Sequence, residues 1–158
     1  MQQSPALIYG LTRTELKQVC LAWGQPEFRA EQIWQWLYIR RVNAWQEMSN
    51  VSAAVRQKLA ADFILEAASL LRATEEQPAG GARKLLLALG DGARIETVII
   101  PAPKRTTLCV SSQVGCRFKC AFCASGQAGF RRQLQPAEMV GQVLVAAHLL
   151  GHLPTHLG

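Results

Sequence analysis

The sequence predicts a mixed fold, α+β passing into α/β: a small N-terminal helical domain, a β-hairpin, and then the first β/α unit of an incomplete (β/α) barrel. Three observations predict it. Apolar residues recur at helical spacing between residues 12 and 65, two apolar runs flank a Gly90-Asp91-Gly92 turn, and a short strand, a cysteine-rich loop and a Pro136-led helix follow in that order. The domain reading is a helical accessory domain over 1–72, a linker over 73–82 and the start of a barrel over 83–158.

Thr12-Arg13-Thr14-Glu15 fits a capping box, in which the residue at each end satisfies a free backbone N–H at a helix start. Leu16, Val19, Cys20 and Trp23 follow at helical spacing, and Gly24 ends the element. A second helix is predicted from Arg29 to Arg40, with Ile33, Trp34 and Leu37 inward, and Trp45 and Met48 fall in the connection after it. A third helix, from Ser52 to Leu65, carries Val55, Leu59 and Phe63 at four-residue spacing. Tryptophans could stack on unpaired bases, but this spacing equally suits a core. Thr74 to Gly81 is polar and rich in Pro and Gly, which reads as linker. Lys84–Leu89 and Arg94–Ile100 form the hairpin, ended by Pro101 and Pro103. Thr106–Val110 is a strand leading into the cysteines, and Pro136 opens a helix that runs to Leu150. Strand, loop and helix match one β/α unit of a barrel, whose chemistry sits on the loops after the strands. Because the sequence ends where a second strand is expected, it reads as the N-terminal part of a longer protein.

The chain has 158 residues, 49% hydrophobic and 18% charged, an ordinary globular composition. Neither a signal peptide nor an apolar run of membrane-spanning length is evident. Of five cysteines, four lie between 109 and 123, which suits a metal centre in a reducing compartment, the cytoplasm, better than a disulfide framework. The net charge of +6 includes Lys104, Arg105, Arg117, Lys119, Arg131 and Arg132 near the cysteines. These could meet phosphates or form a solvated basic face.

Cys116, Cys120 and Cys123 are spaced C-x3-C-x2-C with Phe122 before the last. Three thiolates on one loop can hold three irons of a [4Fe-4S] cluster and leave the fourth without a protein ligand, whereas closed electron-transfer clusters use four cysteines. Zinc is the alternative, with Cys109, His148 or His152 completing four ligands. His148 and His152 also suit the negative end of a helix.

Cys109-Val110-Ser111-Ser112-Gln113-Val114-Gly115-Cys116, the two further cysteines and Gly126-Gln127-Ala128-Gly129-Phe130-Arg131-Arg132 resemble the RlmN/Cfr family of radical S-adenosylmethionine (SAM) enzymes, which methylate an adenine of RNA. Val114-Gly115 is more similar to the RlmN branch, which modifies C2, than to the Cfr branch, which modifies C8. The resemblance implies a [4Fe-4S] cluster on Cys116, Cys120 and Cys123, with SAM on the open iron cleaved to a 5′-deoxyadenosyl radical. Phe122 would flank the adenine of SAM or pack under the loop. Glu96 would be the proton acceptor; a carboxylate among apolar strand neighbours could be a competent base, although an exposed strand glutamate fits the same pattern. Cys109 would be the thiol that resolves the enzyme–RNA intermediate by thiol–disulfide exchange, with Lys104 and Arg105 supplying thiolate character. A buried strand cysteine is the alternative there. Partners implied are rRNA, tRNA as a second substrate, and an electron donor such as flavodoxin, with the protein a monomer and no membrane involved. No Gly-Glu-Pro segment follows residue 135 and no cysteine follows Cys123, so the 158 residues are not expected to methylate RNA alone. The competing readings are a zinc-stabilised RNA-binding module and another radical SAM reaction.

Overall fold

The structure is a computed structural model that describes residues 5–75, 80–118, 127 and 129–158. The chain divides into two compact units, Met1–Glu66 and Ala67–Gly158.

In the N-terminal unit, β1 (Ala6–Leu7) pairs in parallel with β2 (Phe63–Ile64). Between them lie α1 (Arg13–Ala22), α2 (Phe28–Trp34) and α3 (Ala53–Asp62). The capping box is present: the Glu15 amide donates to Thr12 Oγ1 at 3.3 Å and the Thr12 amide to Glu15 Oε2 at 2.7 Å. Backbone and side-chain hydrogen bonds from Thr12 hold the Glu15 carboxyl below its usual range. Leu16, Cys20, Ile33, Leu37, Met48, Val55 and Leu59 form the core. Two details depart from the expected helices. The second helix widens into a π-helical segment over Gln35–Arg40, closed by Arg41 in the left-handed region (φ 53°). The inward tryptophan is therefore Trp36, which donates to Asn50 Oδ1. Trp34 instead stacks on Tyr38 (centroids 4.1 Å apart), with the Arg13 guanidinium 5.0 Å above it. The third helix stops at Asp62, because Phe63 turns extended to pair with β1.

The second unit is built on a five-stranded sheet in the order β3 (Ser69–Glu75), β4 (Arg83–Ala88), β5 (Arg94–Ala102), β6 (Arg105–Cys109), β9 (His156–Leu157). The first four strands form an antiparallel meander; β9 lies parallel to β6, with Thr107 opposite His156. The connection from β6 to β9 carries α4 (Pro136–Leu150) and the short pair β7 (Gln113–Val114) and β8 (Arg132–Gln133). One face of the sheet (Leu85, Leu87, Ile95, Ile99, Leu108) buries against Ala146 and the half-buried Met139 and Val143 of α4. Pro136 starts that helix, and Gly151 ends it at φ 76°.

The boundary differs from the sequence reading. Ala67 onward belongs to the second unit, and Ser69–Glu75 is an edge strand rather than domain tail and linker. A register shift between Leu70 and Arg72 breaks its alternation, and backbone pairing with β4 rather than side-chain burial holds it. Pro101 does not end β5 either: it sits opposite Thr106, one step before the turn. No helix among the described residues is long and apolar enough to cross a membrane.

Candidate functional site

The cysteine loop rises from a stem. Val114 pairs with Arg132 and Gln113 with Gln133. Two bonds extend the ribbon: the Arg131 amide donates to the Val114 carbonyl (2.9 Å) and the Cys116 amide to the Gly129 carbonyl (3.3 Å). Gly115 has φ +75°, and a Cβ there would lie 1.6 Å from the Gly129 carbonyl oxygen, so the close crossing requires glycine. Cys116, a half-buried free thiol, thus stands at the mouth of the loop. Cys120, Cys123, Phe122 and Lys119 lie outside the described residues.

Both ends of the stem are anchored. Leading into it, Ser111 is held by Gln142 of α4, whose side chain is fully buried. The Ser111 amide donates to Gln142 Oε1 at 2.8 Å, and Gln142 Nε2 donates to the Ser111 carbonyl at 2.9 Å. The Thr97 hydroxyl donates to the same Oε1 at 2.7 Å. Leaving the stem, Arg132 makes a two-pronged pair with Glu138 (2.8 Å on each nitrogen), and its Nε donates to Asp91 in the hairpin turn at 2.9 Å. The Arg132 hydrogen bonds hold the Glu138 carboxyl below its ordinary value of 4.5. The Ala93 amide, and then Arg132, do the same for Asp91 below 3.8. Both shifts are downward, so the stabilisation is complete above those ordinary values and is lost as pH falls through the lower folded-state values. Removing Arg132 leaves the nearly buried Glu138 without a cation, with only the Gln135 amide still donating to it at 2.7 Å. Arg132→Met is therefore expected to cost about 2 kcal/mol at neutral pH, and less at pH low enough to protonate both carboxylates. Denaturant melts of both proteins across acid and neutral pH measure this.

Glu96 and Cys109 share the face of the sheet that α4 leaves uncovered. Cys109 lies opposite Val98, and Glu96 is two residues from Val98 on the same side of β5. In that arrangement Cys109 and Glu96 are diagonal neighbours, with Cα atoms about 7–8 Å apart. Cys109 is exposed at the end of β6, not buried. Glu96 Oε1 pairs with Lys84 Nζ at 3.0 Å, both side chains about half exposed. The apolar enclosure expected for Glu96 is therefore absent; a lysine on the neighbouring strand stands beside it. Lys104 and Arg105 do not flank Cys109, because β6 separates them by its length, about 13 Å. Lys84, two strands across in the same row, is a cation on the thiol's own face.

Residues 7–65 match the family model for the ribosomal RNA large subunit methyltransferase N-terminal domain. The chain is 41% identical over 153 residues to the "Probable dual-specificity RNA methyltransferase RlmN" of Chlorobium luteolum, covering 95% of this chain and 42% of that protein. It is 43% identical to the dual-specificity RNA methyltransferase RlmN of Halorhodospira halophila, over 97% of this chain and 41% of that one. A solved radical SAM methyltransferase from Sphaerobacter thermophilus superposes with TM-score 0.88 at 37% identity, covering 97% of this chain and 46% of its own. Residues 7–65 belong to that N-terminal domain family, and the chain is similar to RlmN proteins over nearly all of its length. It spans about 42% of the length of the curated RlmN relatives it matches.

Within this RlmN-like chain, two basic residues have other contacts than the sequence suggested. Arg132 is committed to Asp91 and Glu138, and the Arg117 guanidinium lies 4.9 Å above the Phe130 ring. Sequence reasoning missed Arg94, which joins Arg131 in lining a cleft of about 340 Å³ with Gly92, Val114, Gly115 and Gly129. It also missed Gln142 and Lys84. The first needs a contact made across the fold, and the second needs the strand register. Among the described residues no three His, Cys, Asp or Glu side chains gather as a metal site; the zinc alternative, in which Cys109, His148 or His152 joins Cys116, Cys120 and Cys123, turns on Cys120 and Cys123, which lie outside the described residues.

Proposed function

We propose that this chain carries the RNA-handling domain and the cluster loop of a radical SAM methyltransferase that acts on adenine C2 of 23S rRNA, with tRNA as a second substrate. The observation that supports it best is that Glu96 and Cys109 stand together on the uncovered sheet face, on the strands that lead into the loop beginning at Cys116. Cys116, Cys120 and Cys123 would hold a [4Fe-4S] cluster. The donor set fits: three cysteines on one loop, of which Cys116 is a free thiol at the loop's mouth. Phe122, beside the last ligand, would lie against the adenine of SAM. When bound, cluster and SAM supply the one-electron chemistry that activates a methyl carbon.

The protein's own groups do the rest. Glu96 would accept the proton leaving the modified adenine carbon, its carboxylate oriented by Lys84. Cys109, exposed beside it, would release the methylated base by attacking the sulfur of the methyl-carrying cysteine. The resemblance places that cysteine in the half of the family's length that this chain does not span. Arg94 and Arg131 would meet RNA phosphate in their cleft.

Two measurements test the reading. Iron with acid-labile sulfide in the anaerobically reconstituted chain supports it; zinc without sulfide sinks it. In RNA-hairpin titrations, Arg94→Ala and Arg131→Ala are each expected to lower the slope of log affinity against log salt by about 1. Unchanged slopes would remove the cleft from the RNA path.

A further inference from the structure

We propose that Gln142 is the positioning residue of the site. Its carboxamide takes the place of a strand neighbour at Ser111, and so sets where the Cys109 strand hands over to the cysteine loop.

The segment after Cys109 leaves the sheet, so the Ser111 peptide needs both a donor and an acceptor from elsewhere. Gln142 supplies both, with 2.8 and 2.9 Å bonds to the Ser111 amide and carbonyl. The same carboxamide accepts from Thr97, the buried neighbour of Glu96 on β5. Ser111 in turn donates its hydroxyl to the Glu96 carbonyl at 2.6 Å. One buried amide on α4 thereby ties together the backbone beside Glu96, the residue two beyond Cys109, and the start of the stem that presents Cys116. Glutamine suits this position because only an uncharged side chain that both donates and accepts satisfies all three partners. Methionine would fill the same space and leave the buried Thr97 hydroxyl and the half-buried Ser111 amide and carbonyl without this partner. Thr97 and Gln142 are both fully buried, so at the Thr97 hydroxyl water cannot substitute, whereas the half-buried Ser111 peptide is the end of the clamp that solvent can reach once the carboxamide is gone.

The claim that this geometry serves the cluster rests on the function proposed above; the clamp itself does not, and the test separates them. Amide hydrogen exchange is followed by NMR in the apo chain and in Gln142→Met, with iron loss to a chelator measured on the reconstituted proteins. Exchange at Ser111 is expected to quicken by about 10-fold or more, spreading to Val114 and Cys116, while the Leu85, Leu87 and Ile99 amides keep their protection. Iron loss is expected to quicken by a similar factor at little change in melting temperature. Unchanged exchange at Ser111 would overturn the proposal, as would a uniform rise across the unit with a matching fall in melting temperature. If Gln142→Met does not fold, Gln142→Glu carries the test. It keeps the acceptor for Thr97 and the Ser111 amide but, when ionised, no donor for the Ser111 carbonyl, and the same local pattern is expected. If neither protein takes up iron, the cluster reading fails while the exchange result still judges the clamp.

Discussion

Anaerobic reconstitution of this chain is expected to give about four irons and as many sulfides per molecule, and Cys120→Ala or Cys116→Ala is expected to abolish that loading. The three thiolates are the whole protein contribution to such a cluster, so losing one leaves two anchors on a loop that cannot supply a replacement. The two other cysteines serve as controls. Cys20 is fully buried in the N-terminal unit, and burial pushes its thiol up, away from the thiolate form that binds metal. Cys20→Ala should load normally. Cys109 is exposed on the sheet face opposite α4; Cys109→Ala should also load normally, because the role proposed for it is release of product. Retention of iron by Cys120→Ala would sink the cluster assignment. Loss of metal in Cys109→Ala would point instead to a closed four-ligand centre, the arrangement zinc prefers.

The second large effect is expected at Gly115. Alanine at φ +75° costs about 1–2 kcal/mol on conformation alone. Here the added carbon would also fall on the Gly129 carbonyl, backbone that cannot swing aside as a side chain would. Relief requires the stem to part, with the bonds Cys116 amide to Gly129 carbonyl and Arg131 amide to Val114 carbonyl given up at about 1 kcal/mol each. Gly115→Ala should therefore lose about 3–4 kcal/mol of local stability and most of its iron loading. Gly129→Ala makes the contrast: it has φ 72°, but among the described residues no atom beyond its chain neighbours lies within 4 Å of its added carbon, so only the conformational cost of about 1–2 kcal/mol applies. Hydrogen exchange at Arg131 and Cys116, with iron content, distinguishes the two; equal effects would mean that the crossing is not the constraint.

Much of the fold was legible because its signals are local. Thr12 and Glu15 announce a helix start three residues apart, Gly90-Asp91-Gly92 makes the β4–β5 turn, and Pro136 and Gly151 bracket α4. What was hidden depends on partners distant in sequence. The π-helical segment that turns Trp36 rather than Trp34 inward is not written in the apolar spacing, which fits either tryptophan. Strand β3 escaped because an edge strand with a register shift buries little, so its sequence carries no alternation. In the candidate site, the sequence named the cysteines, Glu96 and Cys109, and the structure sets Glu96 and Cys109 on one face of the sheet. Their surroundings were not legible in the sequence. The Lys84–Glu96 pair depends on strand register, Gln142 reaches across 31 residues to Ser111, and Arg132 looked like a free cation until the hairpin turn and α4 were seen to claim it.

The parallel pairing of β1 with β2 has a mechanical consequence. It joins the beginning of the N-terminal unit to its end, Ala6 beside Phe63 and Leu7 beside Ile64. Tension applied along the chain from either side of the unit pulls these two strands past each other, loading their hydrogen bonds together in shear instead of one at a time. The three helices lie outside that load path until the clamp gives. Tension along the chain therefore meets a unit that holds its shape first and yields all at once.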